Sequence, residues 1–169
     1  MVLTAPTGGI LGPTEQELRG LAQNLSAHAG RLDQSGEWPV YQLKQCGESG
    51  VFRWFVPPKM GGLGWSETDI LRGYLRLSAS CLTTSFILTQ TTGALRRVAA
   101  SGAAATERVL EDLLSGRCLA SLGISHLTTS HRHLGRTILS AERCDKGFLL
   151  NGFSPWVTGS PYIDLIVVG

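Results

Sequence analysis

The sequence lacks every short signature from which chemistry could be read off a few residues. Its four cysteines, Cys46, Cys81, Cys118 and Cys144, lie far apart and form no CxxC pair. That argues against a zinc site and against the disulfide framework of a small secreted protein, so a reducing cytoplasm is the expected compartment. There is no Gly-x-Ser-x-Gly elbow, no Walker loop and no HExxH helix, so the usual marks of hydrolases, P-loop proteins and zincins are missing. Gly62-Leu63-Gly64 opens a GxGxxG pattern, but Glu67 occupies the last glycine position and a Pro-Pro pair precedes it where a strand is required. A Rossmann dinucleotide site is therefore rejected.

Charge excess is lacking too. Lys and Arg number 15 against 13 Asp and Glu, a formal net charge of +2, and the basic residues are interspersed with acidic ones. No stripe is concentrated enough to track a phosphate backbone, and nucleic acid is not an expected partner. No run approaches eighteen uninterrupted apolar residues, and residues 1–13 show no basic region followed by an apolar one. Neither a membrane span nor a signal peptide is expected. The sequon Asn24-Leu25-Ser26 falls within a helical pattern and is read as chance.

What is present is core-forming material: 43% of the 169 residues are hydrophobic, enough for one or two domains. After a Gly-, Pro- and Thr-rich lead-in over residues 1–13, expected to be flexible, Thr14 and Glu17 have capping-box spacing. Leu18, Leu21, Ala22, Leu25, Ala29 and Leu32 then recur near a period of 3.6, which predicts a helix stopped by Gly36 and Pro39. A short helix is expected over Val40 to Cys46. The apolar burst Phe52, Trp54, Phe55, Val56 leads into Pro57-Pro58 and Gly61-Gly62-Leu63-Gly64, a compact packed loop.

Ser66 with Asp69 predicts the cap of a third helix carrying Ile70, Leu71, Tyr74, Leu75 and Leu77. Residues 82–100 predict a long, largely buried helix with Gly102 as its stop, and residues 104–115 another ending at Gly116. Beyond Gly116 the texture changes. Cys118 to Ile124, Arg136 to Glu142, Phe148 to Leu150 and Ile163 to Val168 are short runs bounded by Gly, Asp, Asn or Pro, which predicts four strands. Turns at Asp145-Lys146-Gly147 and Asn151-Gly152 favour an antiparallel arrangement. The fold class expected is thus α+β: an antiparallel helical bundle over 14–116, then an incomplete antiparallel β-barrel or sheet over 117–169. The open edges of such a sheet predict a partner or a further C-terminal part that completes it.

His126, His131 and His133 supply a possible metal cluster, because an HxH pair on a strand turns both rings to one side. No Asp, Glu or Cys stands nearby to complete a ligand set, so no metal site is expected and a solvated basic loop is the simpler reading. Trp156 taken alone reads as a core aromatic; its neighbours point elsewhere.

Those neighbours carry a resemblance. Ser115 to His126, Ser-Gly-Arg-Cys-Leu-Ala-Ser-Leu-Gly-Ile-Ser-His, resembles the entry into the middle β domain of acyl-CoA dehydrogenases, where a Ser-Gly turn leads into an apolar strand ending in Thr-Glu-Pro. Ser125 stands at that Thr and His126 at that Glu. Ala141-Glu142-Arg143 and Gly147-Phe148-Leu149-Leu150-Asn151-Gly152 look like the family's Ala-x-Arg and Gly-Tyr-x-Leu-Asn-Gly. Trp156-Val157-Thr158 matches its Trp-Ile-Thr, with Ser154 in place of the usual Lys, and Asp164 to Val168 matches the strand that follows. Val56-Pro57 and the glycines at 61, 62 and 64 are similar to its Val-Pro-x-x-x-Gly-Gly-x-Gly. The likeness runs from about Leu18 to Val168.

The resemblance implies an FAD-dependent oxidoreductase acting on CH-CH bonds of acyl thioesters. Its fold would be a helical domain that shapes part of the acyl pocket, a middle β domain and a C-terminal four-helix domain. This chain would carry the first of these and about half of the second. Trp156, Val157 and Thr158 would border the isoalloxazine ring, and Ser125 would serve its pyrimidine edge. Ser130, in a stretch lacking the family's glycines, is the nearest match to its pyrophosphate-binding Ser. The family's carboxylate base lies in the C-terminal domain, so no catalytic residue is expected in this chain, and the chain alone is not expected to be active. The complete enzyme would take acyl-CoA and form a homo-oligomer. A flavin-dependent monooxygenase of the same fold and a non-catalytic remnant or interaction module are the alternatives.

Overall fold

A computed structural model describes residues 9–128 and 138–169. It is mixed α+β and mostly helical, with two small sheets. Helix α1 (Gln16–Ser35) buries Leu18, Leu21, Ala22, Leu25 and Leu32, the stripe that the 3.6 period predicts. Its N-cap, however, is Glu15 with no side-chain cap bond, not Thr14. The Glu15 amide donates to Gly12 O at 3.2 Å, and this turn sets the helix boundary one residue later than the capping-box spacing predicts. Helix α2 (Val40–Glu48) follows, extending past the expected Cys46.

The burst Val51–Phe55 and the segment Pro58–Met60 are 3₁₀ turns, and the first is fully buried. They fold back on themselves, the Leu63 amide donating to Arg53 O at 2.7 Å and the Trp65 amide to Trp54 O at 2.9 Å. Gly62 is obligatory here, since a Cβ at this position would run into the Val56 carbonyl. Arg53 is 5% exposed. It is held by an Nη1 bond to Gly61 O and an Nη2 ion pair with Glu111, each 2.7 Å. A buried guanidinium is tolerated because both of its edges find an acceptor.

Helix α3 (Glu67–Ser80) starts as its sequence predicts, with Ser66 Oγ accepting from the Asp69 amide at 3.2 Å and donating to its carboxylate at 2.7 Å. Ile70 and Leu77 are buried, whereas Leu71 and Leu75 face outward. Helix α4 (Leu82–Ser101) buries Ile87, Leu88, Leu95 and Val98 but exposes Phe86. Helix α5 (Ala104–Ser115) buries Leu110, Leu113 and Leu114. The glycines after α1, α4 and α5 all adopt the left-handed conformation that ends a helix.

Trp54 is the centre of this core. It is wholly buried and stacks on Trp65 at 4.2 Å between ring centroids, with 10° between planes. Gly73 of α3 lies against its ring, where a Cβ would come within 2.6 Å of Trp54 Cζ3. The Gly73→Ala protein is expected to lose about 1–3 kcal/mol through overpacking, measured as a shift of the urea midpoint at unchanged slope. An unchanged midpoint would show that the rings can yield.

Strand β1 (Ala120–Gly123) pairs with β4 (Leu165–Val168), and β2 (Leu139–Cys144) with β3 (Gly147–Gly152). The β2–β3 pair is the antiparallel hairpin expected around Asp145 and Lys146, in register from Leu139 opposite Gly152 to Cys144 opposite Gly147. The β1–β4 pair is parallel, contrary to the antiparallel expectation, with Ala120 opposite Leu165 and Gly123 opposite Val168. The two strands are joined by a long connection that includes the hairpin, which leaves room for the crossover that parallel pairing needs. Among the described residues the four strands therefore make two ribbons instead of one open sheet. Asn151 and Gly152 end β3 and do not form a separate turn. Leu122, Leu165 and Val167 pack onto the helical core. α4 approaches β1 closely enough that a Cβ on Gly93 would meet Leu122 Cδ1 at 2.8 Å.

Candidate functional site

β1 and β4 are locked at their entrance by Leu119 and Asp164. The Leu119 amide donates to the Asp164 carboxylate at 2.9 Å, while Leu119 O accepts from the Asp164 and Leu165 amides at 3.0 and 3.1 Å. Beyond β1 the chain turns at once into the short helix α6 (Ser125–Thr128). Gly123 permits this closeness, because a Cβ there would press on Ile166, Val168 and Val157 at 2.9–3.4 Å.

Ser125 is 6% exposed, and its hydroxyl reaches across to the segment before β4. It donates to Trp156 O at 2.8 Å and accepts from the Trp156 amide at 3.1 Å, with Ser154 Oγ also 2.8 Å away. A serine hydroxyl offers one donor and two acceptor lone pairs; these contacts hold the Trp156 backbone from both sides. The indole itself is 64% exposed. A large aromatic is thus fixed at its main chain and presented at the surface.

Val157 and Thr158 are half-buried. Val157 O accepts from the Ser160 amide at 3.2 Å, closing the turn into the 3₁₀ segment Ser160–Tyr162. This turn is seated on the helical part: Tyr162 stacks on Trp38 with centroids 5.0 Å apart and planes 10° apart, and Gly159 lies against the same indole ring. Trp38 and Tyr162 also edge a cleft of about 630 Å³ lined by His28, Arg31 and Tyr41.

The structure thus brings Ser125 onto Trp156, with Val157 and Thr158 next along the chain. Ser130, with His131 and His133, lies outside the described residues. Among the described residues no group of three or more His, Cys, Asp or Glu could hold a metal ion. Nor is any helix long and apolar enough to cross a membrane. Cys46 is a core thiol that burial, and secondarily the nearby Cys81, push up to about 12. Sequence reasoning missed the part played by Ser154, whose only signal is a hydroxyl two residues before Trp156, and the Trp38–Tyr162 stack, for which no local pattern exists.

A second concavity, of about 320 Å³, lies between α3 and α4 and includes Phe55, Ile70, Tyr74, Thr92 and Arg96. The Tyr74 hydroxyl lies 2.7 Å from Thr92 Oγ1. Burial raises its phenol to about 12, against the opposing effects of the Thr92 hydrogen bond and Arg96, so it stays protonated at neutral pH.

Residues 15–117, more than half of the chain, match the model of the acyl-CoA dehydrogenase N-terminal domain. The chain belongs to the acyl-CoA dehydrogenase family. Isovaleryl-CoA dehydrogenase of Arabidopsis thaliana mitochondria is 27% identical over 157 residues, covering 86% of this chain and 36% of that protein. The chain spans only 36–39% of the length of the first curated relatives it matches. Among solved structures, an acyl-CoA dehydrogenase complexed with FAD from Bacillus anthracis superposes with a TM-score of 0.70 at 21% identity, over 97% of this chain and 32% of that one. A nitrososynthase from Micromonospora carbonacea superposes at 0.71 and 21% identity, over 99% of this chain and 43% of that one. These two likenesses establish the fold, which the family shares with the α+β class read from the sequence.

Proposed function

We propose that this chain is the helical part and the leading β part of an FAD-dependent, acyl-CoA-dehydrogenase-like oxidoreductase that acts on a CH-CH bond of an acyl thioester. The helical unit would occupy 14–116 and the β unit 117–169. The observation that carries the reading is the Trp156 ledge, an exposed indole whose backbone is clamped by a buried serine. With the main chain already fixed, only the side-chain torsions of Trp156 remain to be ordered when a flat aromatic ligand stacks on its ring, and the matching position in the family borders the flavin.

FAD bound there would supply the hydride acceptor. This chain's share is to orient it: Trp156 against the ring, Val157 and Thr158 along its edge, and Ser125 by fixing Trp156. The acyl thioester would be received partly by the helical unit. The carboxylate base belongs to the remainder of the enzyme, so the isolated polypeptide is expected to bind flavin without turning over acyl-CoA. A homo-oligomer in the cytoplasm fits the same reading.

Flavin titration tests it. The 169-residue protein should bind FAD with a perturbed visible spectrum. Trp156→Ala should shift that spectrum and weaken binding about five- to tenfold, the worth of one aromatic contact. A folded variant with an unchanged spectrum would remove Trp156 from the site.

A further inference from the structure

The segment from Trp156 to Tyr162 is tied down at both ends. At its start, the Ser125 hydroxyl clamps the Trp156 main chain. At its close, Tyr162 stacks on the Trp38 indole with centroids 5.0 Å apart and planes 10° apart, and a Cβ on Gly159 would run into the same ring. Gly159 has a φ of +72°, and its carbonyl accepts from the Tyr162 amide at 2.7 Å, so the chain turns while lying against the indole. Val157 and Thr158 fall between the two anchors.

Trp38 is suited to be a fixed seat. It precedes Pro39, the residue from which α2 starts, and a following proline confines its backbone to extended conformations. Tyr162, by contrast, is 57% exposed. A ring left that open buries too little surface to act as core filling, so its face-to-face contact with Trp38 chiefly fixes a direction.

Resting on the flavin reading above, we infer that Trp38 is a positioning residue for the flavin-facing segment. Through Gly159 and Tyr162, and without acting on the cofactor itself, it holds Val157 and Thr158 in line with the Trp156 ledge. The helical unit thereby sets the edge that the β unit presents. Contact residues are placed only as well as the groups behind them allow.

The test has two arms, and the first needs no flavin. The Trp156 and Ser160 amides donate to Ser125 Oγ and Val157 O at 3.1 and 3.2 Å. Their hydrogen exchange should quicken about three- to tenfold in Trp38→Ala and in Tyr162→Ala, the worth of one aromatic pair, while amides within α5 stay at wild-type rates. In the second arm, both variants should bind FAD about three- to tenfold more weakly, with a displaced bound-flavin spectrum. Trp38→Phe, which keeps a ring to stack on, should restore exchange, affinity and spectrum. Tyr162→Ala removes an exposed side chain and reads the contact independently of how well Trp38→Ala folds. Unchanged Ser160 exchange in Tyr162→Ala, or an unchanged affinity and spectrum in a protein that binds FAD as wild type, would overturn the assignment and leave the flavin reading intact. Absence of FAD binding by the wild type would overturn both.

Discussion

Replacing Trp54 by alanine should cost about 3–5 kcal/mol of folding free energy, a large part of the roughly 5–15 kcal/mol that holds a typical domain together. The side chain is wholly buried, stacks on Trp65 and contacts Phe55. Gly73 and the turn between Val51 and Phe55 are built around its shape. Truncation would leave a void that cannot collapse, because the Leu63 and Trp65 amides tie the surrounding loop back to Arg53 and Trp54 themselves. Urea unfolding followed by circular dichroism should show the midpoint moving down by that amount divided by the slope. A loss below about 1 kcal/mol would mean that the loop closes over the gap.

Ser125→Ala should have the largest functional effect. It removes the donor to Trp156 O and the acceptor for the Trp156 amide together, leaving buried or half-buried backbone groups without partners at about 1–3 kcal/mol. FAD affinity is expected to drop about tenfold or more, as far as the ledge must be reordered on binding. Ser125→Thr, which keeps the hydroxyl, should recover most of it. Flavin fluorescence titration of the three proteins decides the matter, with thermal unfolding alongside. Equal affinity in wild type and Ser125→Ala would show that the clamp does not organise the site.

The helical part was legible in the sequence because its information is local. The 3.6 spacing of Leu18, Leu21 and Leu25, the Ser66 cap and the stops at Gly36, Gly102 and Gly116 all act within a few residues. Periodicity alone did not separate the buried Ile70 and Leu77 from the outward Leu71, Leu75 and Phe86, since that depends on which neighbour covers each face. The hairpin was legible from its two-residue turn. The parallel return of β4 beside β1 was not, because no pattern in either strand records its partner. The site was legible as a string of family-like residues. The use of the Ser125 hydroxyl was not, because its partners lie 29 and 31 positions further along.

The same separations set an order of events. The Leu119–Asp164 lock joins residues 45 apart, so closing it costs about 3 kcal/mol of chain entropy beyond a constant term. The helical core meets a comparable expense at Arg53 and Glu111, 58 positions apart, but α1 to α5 all precede β1 in the chain, and the hairpin needs only its own turn. During synthesis β1 must wait without its partner until Leu165 to Val168 have left the ribosome. Ser125 follows β1 and Trp156 precedes β4, so the two halves of the ledge are brought into line by the pairing of those strands.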